Sequence, residues 1–358
     1  MDVESRMELV RRVSCEIITE EDLRELFETN DRPVAYDGFE PSGLAHLPVG
    51  VYRPIVLENL MKAGIRFKLL LADSFAWINN KMGGDLEKIR IAGHYFVEVW
   101  KAAGVDLERV EIVWHKDIFD DPDYWKKVLI IAKNTTVRRT FRALTVAGRM
   151  ESESNPTAFL FYPIMQCADI FQLGVDICQL GIDQRKVNVL AREVAHVLGA
   201  KKPVAIHHPL LLGLGGPSGG KGFDEDARFD KMISSKMSKS LPESAIFVHD
   251  SENEIRNKIR RAFCPPGDVN NPVMDIAEKI IFPKFGEMDV EKKGDRISFG
   301  SVEELRESYR KGEIHPLDLK EAVSGYLEKI IRPIREHFEK NKRARELYEM
   351  VRSFEITR

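Results

Sequence analysis

The sequence predicts an α/β chain: a parallel-sheet domain carrying an inserted helical segment, followed by an all-helical C-terminal domain. Three observations carry that expectation. Short apolar runs that end in glycine or an acid alternate with helix-like segments, the pattern of a parallel sheet with crossover helices. A long helical and polar stretch interrupts the alternation midway. After about residue 246 the strand-like runs stop and helical periodicity takes over. At 358 residues the chain is long enough for one large core and a smaller companion. The first domain is expected over 1–245, with its insertion at about 115–160, and the second over 246–358.

Val34 to Phe39 reads as the first strand, Phe67 to Ala72, closing on Asp73, as the second, and Val110 to Trp114 as the third. A helical stretch from Tyr124 to Met150 and a polar loop, Glu151 to Pro156, then form the insertion. Val175 to Leu180, followed by Gly181-Ile182-Asp183-Gln184, and Val204 to His207 supply two more strands. Ligands of such sheets bind beyond the carboxyl ends of the strands, so Asp73 and the Gly181 to Gln184 turn are expected to face one crevice. The segment Gly213 to Gly222 holds six glycines in ten positions; it cannot pack a regular element and is expected to be mobile. It runs into Lys231-Met232-Ile233-Ser234-Ser235-Lys236-Met237-Ser238-Lys239-Ser240. Further on, Ser251 with Glu254 forms a capping-box pattern. Leu319, Ala322, Val323, Tyr326, Leu327, Ile330, Ile331 and Ile334 hold a helical period over four turns.

Composition narrows the class. With 43% hydrophobic and 31% charged residues the chain resembles globular enzymes, and no run approaches the roughly 18 apolar residues of a spanning helix. The start, Met1-Asp2-Val3-Glu4, lacks the order of a signal or transit peptide, so a cytoplasmic location is expected. Cys15, Cys167, Cys178 and Cys264 are scattered without a CxxC pair, which suggests neither a disulfide framework nor a zinc site. A net charge of -3 argues against coating nucleic acid through overall charge; RNA contacts would come from local basic patches.

Three constellations carry chemistry. Lys236-Met237-Ser238-Lys239-Ser240 puts two ammonium groups three residues apart after a glycine-rich hinge, and nucleotidyl transfer needs mobile positive charge on a triphosphate. An exposed basic loop is the plainer alternative. Lys231 to Ser235 is a degenerate echo of the same pattern. Gly38-Phe39-Glu40-Pro41-Ser42-Gly43-Leu44-Ala45-His46-Leu47 comes just after the first strand; taken alone, His46 beside a glycine turn reads as structural, and paired with the lysine loop downstream it reads as functional. Tyr162, Gln166 and Asp169 recur at i, i+4 and i+7 and so line one helix face, either as a buried polar set that wants partners or as a solvent-facing stripe.

Together these residues resemble tyrosyl-tRNA synthetases of the archaeal and eukaryotic type, class I aminoacyl-tRNA synthetases, in order from about residue 20 to the end. The resemblance implies a Rossmann-type catalytic domain followed by a helical anticodon-binding domain. The activity implied is ATP-dependent adenylation of tyrosine and its transfer to tRNA(Tyr), with Mg²⁺ accompanying ATP and no tightly bound protein-ligated metal. It further implies that Tyr36 and Asp169 grip the phenol hydroxyl and that Tyr162, Gln166 and Gln184 hold the ammonium, with Asp73 on the tyrosine side. Gly38, Gly43, His46, Gly181, Asp183, Lys236, Ser238 and Lys239 belong to the ATP side, with His46, Lys236 and Lys239 catalytic. Arg142 would read the acceptor stem and Asp318 the anticodon. A homodimer formed through the insertion is implied as well.

The chain departs from that family at His46-Leu47-Pro48-Val49-Gly50, where Pro48 fills a glycine slot. It departs again where Lys292 stands in place of an aromatic that stacks on the anticodon. Arg138, Arg139 and Arg142 also read as a solvated basic helix face, and Asp318 as an ordinary first-turn acid. Tryptophan activation is the nearest rival. A small-molecule nucleotidyltransferase and a non-catalytic RNA-binding relative complete the alternatives.

Overall fold

The computed structural model describes residues 1–144, 156–292 and 294–354. Its main sheet has six strands: β1 (Glu16–Ile18), β2 (Val34–Phe39), β3 (Arg66–Leu71), β4 (Val110–Trp114), β5 (Ile177–Gly181) and β6 (Val204–His208), in the spatial order β1-β6-β5-β2-β3-β4. From β6 across to β4 every pairing is parallel, and only β1 runs antiparallel, on the edge. Sequence order reverses between β2 and β5, so the crevice of the doubly wound sheet opens beyond the carboxyl ends of those two strands.

Both faces of the sheet are covered, which is why the strands read as apolar runs. Alternate residues face opposite sides. Ala35, Phe39, Phe67, Leu69, Leu71, Val204 and Ile206 join one buried cluster with the Arg53–Lys62 and Leu86–Ala102 helices. Tyr36, Leu70, Cys178 and Leu180 join a second with the Pro122–Lys133 and Ala158–Gln172 helices. Tyr36 pairs in register with Lys68 on β3 and Cys178 on β5, which seats its phenol on the second face, next to the switch point.

The first cluster continues without a break into Val248, Ile255, Val323, Ile331 and Val351. The Glu252–Arg261, Pro316–Lys340 and Lys342–Ser353 helices therefore share a core with the sheet. Ser251 and Glu254 do form a capping box. The expectation of helices alone beyond residue 246 needs one addition, an antiparallel hairpin of β7 (Met288–Lys292) and β8 (Asp295–Phe299).

Between β4 and β5 the described part of the insertion is helical, over His115–Phe119, Pro122–Lys133 and Val137–Ala143. Residues 145–155, which include the end of the expected helical stretch and most of the polar loop, lie outside the described residues. Among the described residues no helix is long and apolar enough to cross a membrane.

Candidate active site

A cavity of about 870 Å³ opens at the switch point and is lined from β2, β5, the Ala158–Gln172 helix and the lysine loop. One end is apolar and deep. There Tyr36 is 1% exposed, and its hydroxyl finds no hydrogen-bond partner among the described residues. Burial raises its pKa well above the ordinary value, Cys178 and then Asp169 add to it, and the nearby Gln166 amide, outside hydrogen-bond geometry, opposes it only weakly, so the hydroxyl keeps its proton. Asp169 is also 1% exposed. Its Oδ1 accepts from Tyr124 Oη at 2.9 Å and lies 3.0 Å from His115 Nε2, while its Oδ2 has no partner among the described residues. Two buried polar atoms, one a donor and one an acceptor, thus stand open in the same cavity. Leaving such atoms unpaired costs about 1–3 kcal/mol each, and groups of this kind in a native fold mark the place of a missing partner.

One turn further along the same helix, Gln166 Nε2 donates to Gln184 Oε1 at 3.0 Å, and Tyr162 Oη donates to Glu40. Glu40 also accepts from Asn79 at 2.7 Å. Tyr162, Gln166 and Asp169 are all buried, so the i, i+4, i+7 set is an inward face rather than a solvent-facing stripe. Together with Glu40 and Gln184 it presents carboxylate, amide and phenol oxygens in the cavity, a surface of acceptors suited to an ammonium group.

The outer part is cationic and built for phosphate. β5 ends at Gly181, where an added Cβ would meet Asp183 Oδ1 at 2.6 Å, so only glycine lets that carboxylate turn back over the strand end. Asp183 Oδ2 accepts from Lys236 Nζ at 2.7 Å. Burial would raise its pKa, but the Lys236 ammonium and its hydrogen bond outweigh that and hold it below the ordinary value. Lys239 reaches across to Ser42, whose Oγ is 3.0 Å from Nζ. Its pKa is lowered to about 7 by burial first and by Lys81 second, with Glu40 opposing. His46 is buried in the cavity wall, and its Nδ1 has no partner among the described residues. Burial, then the Lys239 charge, lowers its pKa well below 6.5, so the ring is neutral.

The lysine loop is held by backbone pairing. Met237 N donates to Leu211 O at 2.7 Å and Gly213 N to Ser235 O at 2.9 Å. Lys231 to Ser235 belongs to the Ala227–Ser235 helix, so the degenerate echo is a helix and only Lys236 to Ser240 forms the loop. Pro48 opens a helical turn, Pro48–Tyr52, that runs into Arg53–Lys62. Its missing N–H costs nothing there, because first-turn donors have no intrahelical partner.

Of the expected residues, Tyr36, Gly38, His46, Tyr162, Gln166, Asp169, Gly181, Asp183, Gln184, Lys236, Ser238 and Lys239 line this cavity; Gly43 and Asp73 do not. Asp73 requires a correction. Its carboxylate is taken by the amides of Ser74 and Lys116, at 3.0 and 3.1 Å, and by Arg90 at 3.3 Å, which braces the ends of β3 and β4 instead of meeting a ligand. Gly43 has φ 57° and shapes the turn before His46. Arg142 pairs with Glu225 at 3.2 Å beside Arg139, Arg185 and Lys186, around a second cavity of about 340 Å³ that shares Asp183 with the first. Asp318 sits in the first turn of the Pro316–Lys340 helix, away from both cavities. Sequence reasoning missed Glu40, His115, His208 and Arg53. Burial lowers the His208 pKa to about 3. Arg53 donates to Asp37 Oδ2 at 2.9 Å and to the carbonyl of Gly38 at 2.8 Å, and so fixes the end of β2.

Against known proteins, the chain matches the family of tRNA synthetases class I (W and Y) over residues 28–227 and 228–332. It is 42% identical to tyrosine–tRNA ligase 1, cytoplasmic, of Arabidopsis thaliana, covering 100% of this chain and 90% of that one. It is 44% identical to the tyrosine–tRNA ligase of Thermococcus gammatolerans, covering all of both. The crystal structure of the Pyrococcus horikoshii tyrosyl-tRNA synthetase complexed with L-tyrosine superposes with a TM-score of 0.89 at 42% identity, over 98% of this chain and 100% of that one.

Proposed function

The chain belongs to the class I tRNA synthetases of the tryptophan and tyrosine branch and acts as an ATP-dependent ligase of tyrosine to tRNA, and we propose that the open pair of Tyr36 and Asp169 makes it specific for tyrosine. A phenol hydroxyl has one proton to give and lone pairs to accept with. Seated between them, it donates to Asp169 Oδ2 and accepts from Tyr36, which satisfies both orphaned atoms at once. Phenylalanine leaves both unpaired, and a site of that kind rejects the analogue by a factor of roughly ten thousand or more. Indole offers one N–H donor and no acceptor, so tryptophan leaves Tyr36 unsatisfied.

With the ring seated, the ammonium falls among Tyr162, Gln166 and Gln184, near Glu40, and the carboxylate points toward the phosphate end. A carboxylate oxygen attacks the α-phosphorus of ATP; the bond to the bridging oxygen breaks, and pyrophosphate leaves with its electrons. Lys236 and Lys239 meet the charge that builds on the triphosphate, and neutral His46 donates a hydrogen bond to it. Mg²⁺ arrives with ATP as part of the substrate, bound by phosphate oxygens and water. The tRNA terminal ribose hydroxyl then attacks the adenylate carbonyl carbon, and AMP leaves. Positioning and charge stabilisation suffice, without a covalent enzyme intermediate.

Residues 246–358 serve as the anticodon-binding part, with Asp318 toward the anticodon and Arg142 toward the acceptor stem. The enzyme works in the cytoplasm as a homodimer. The observation that carries the assignment is the unsatisfied donor and acceptor at the bottom of the cavity. Pyrophosphate exchange into ATP, run with each of the twenty amino acids, is expected to respond to tyrosine alone. A response to tryptophan or phenylalanine of similar size would overturn it.

A further inference from the structure

We propose that His115 is a positioning residue for tyrosine selection: with Tyr124 it saturates one oxygen of Asp169, so that the other is left for the substrate hydroxyl. The proposal rests on the reading of the cavity given above and adds a residue that does not itself line the cavity.

His115 is the first residue after β4 and is 0% exposed. Its ring is caged by Phe75, Tyr124 and Phe119, with ring centroids 4.6, 5.5 and 5.8 Å away. Packing alone would favour a phenyl or aliphatic group there, because burying an imidazole costs free energy unless its nitrogens are used. One nitrogen is used twice. Nε2 lies 3.0 Å from Asp169 Oδ1 and 3.1 Å from Tyr124 Oη, and Tyr124 Oη lies 2.9 Å from the same Oδ1. Nδ1 has no partner among the described residues.

Counting protons fixes the arrangement. Tyr124 has one proton, and its shorter contact directs it to Asp169 rather than to the Met165 carbonyl at 3.2 Å. Its oxygen can then only accept from His115, so Nε2 carries a proton shared between Tyr124 Oη and Asp169 Oδ1. A proton on Nδ1 as well would be buried without an acceptor, whereas a bare Nδ1 strands only a lone pair. The hydrogen-bond geometry therefore places a proton on Nε2.

Among the described residues two donors thus converge on Oδ1 and none on Oδ2. The terminal torsion of an aspartate is a broad two-fold rotor, and this asymmetry stops it. A half-turn only exchanges two equivalent oxygens, so what the His115 donor fixes is the plane of the carboxylate; without it both oxygens can settle part-way toward Tyr124, and the acceptor presented to tyrosine is misaligned. The ATP end of the cavity is untouched.

The test uses exchange kinetics on the full chain with tyrosine and with phenylalanine. His115→Phe keeps the ring and removes the donor; it is expected to raise KM for tyrosine about 10–100-fold, the range of a hydrogen bond to a charged group. KM for ATP is expected to stay unchanged and the tyrosine-to-phenylalanine ratio to fall. His115→Gln, whose amide nitrogen overlies Nε2, is expected to recover most of the loss. His115→Asn, whose nitrogen overlies Nδ1 instead, is expected to behave as His115→Phe does and serves if that variant fails to fold. A KM for tyrosine that stays put while the melting temperature drops reduces His115 to packing and overturns the proposal. So does a folded His115→Gln that recovers nothing. Wild-type enzyme indifferent to the phenol hydroxyl would instead sink the reading of the cavity itself.

Discussion

Tyr36, Asp169 and Lys239 are polar side chains withdrawn from water, and each is useful because of what its neighbours leave undone. Tyr36 keeps a proton with nowhere to go, and Asp169 keeps an acceptor with nothing on it. Lys239 holds a proton loosely, at about 7, because it is half-buried and Lys81 lies near. Below that value its ammonium is present in the free enzyme; above it the charge is lost before ATP arrives. The free-enzyme quantity kcat/KM for ATP is therefore expected to fall as pH rises through about 7. Lys239→Arg should remove that descending limb, since a guanidinium stays charged throughout. An unaltered limb in that variant would assign it to another group. Spacing made Tyr162, Gln166 and Asp169 legible in the sequence, because a helical period reports one face. His115 and Arg53 were not legible: their partners, Asp169 and Asp37, lie 54 and 16 residues away, and no local pattern records such a meeting. Asp73 was misread because a strand-ending acid facing a crevice and one bracing a neighbouring loop share the same local sequence.

Among the elements, the parallel strands stood out because burial on both faces makes the inner ones short apolar runs, and the edge strand β4 kept Val110, Ile112, Val113 and Trp114. β1 did not, because its three residues are all half-buried and give no alternation to read. The β7–β8 hairpin was hidden by its own charges. Met288-Asp289-Val290-Glu291-Lys292 alternates, but only Met288 and Val290 reach the core, and the helical signals on either side dominate. The glycine-rich segment forms no regular element, as its composition implied. It is nonetheless tied to the helix behind it: the amides of Gly222 and Phe223 donate to Asp230 at 3.0 and 2.7 Å, and Ser218 N to Ser235 Oγ at 2.9 Å. Segment, helix and lysine loop are thereby linked, so movement of the loop over a triphosphate would carry the other two with it.

Across the whole molecule, one apolar cluster joins the sheet to the C-terminal helices, an arrangement in which the two parts do not move freely of each other. Periodicity reports which residues are buried but not which distant elements share that burial, so this continuity could not be read from the sequence. The insertion leaves large apolar side chains outside that core: Leu129 is 65% and Val137 64% exposed, on adjacent helices. Exposed apolar side chains of this size suit an interface. If the proposed homodimer forms through these side chains, replacing both with glutamate is expected to halve the mass measured by sedimentation; a mass that stays the same would count against them as the contact. The claim on which the account turns is the recognition of one hydroxyl group by Tyr36 and Asp169. Its most direct test is the ratio of kcat/KM for tyrosine over phenylalanine in the wild type and in Tyr36→Phe and Asp169→Ala. The account expects a wild-type ratio of roughly ten thousand or more, reduced by about 10-fold or more in each variant. A ratio that both variants leave unchanged would contradict it.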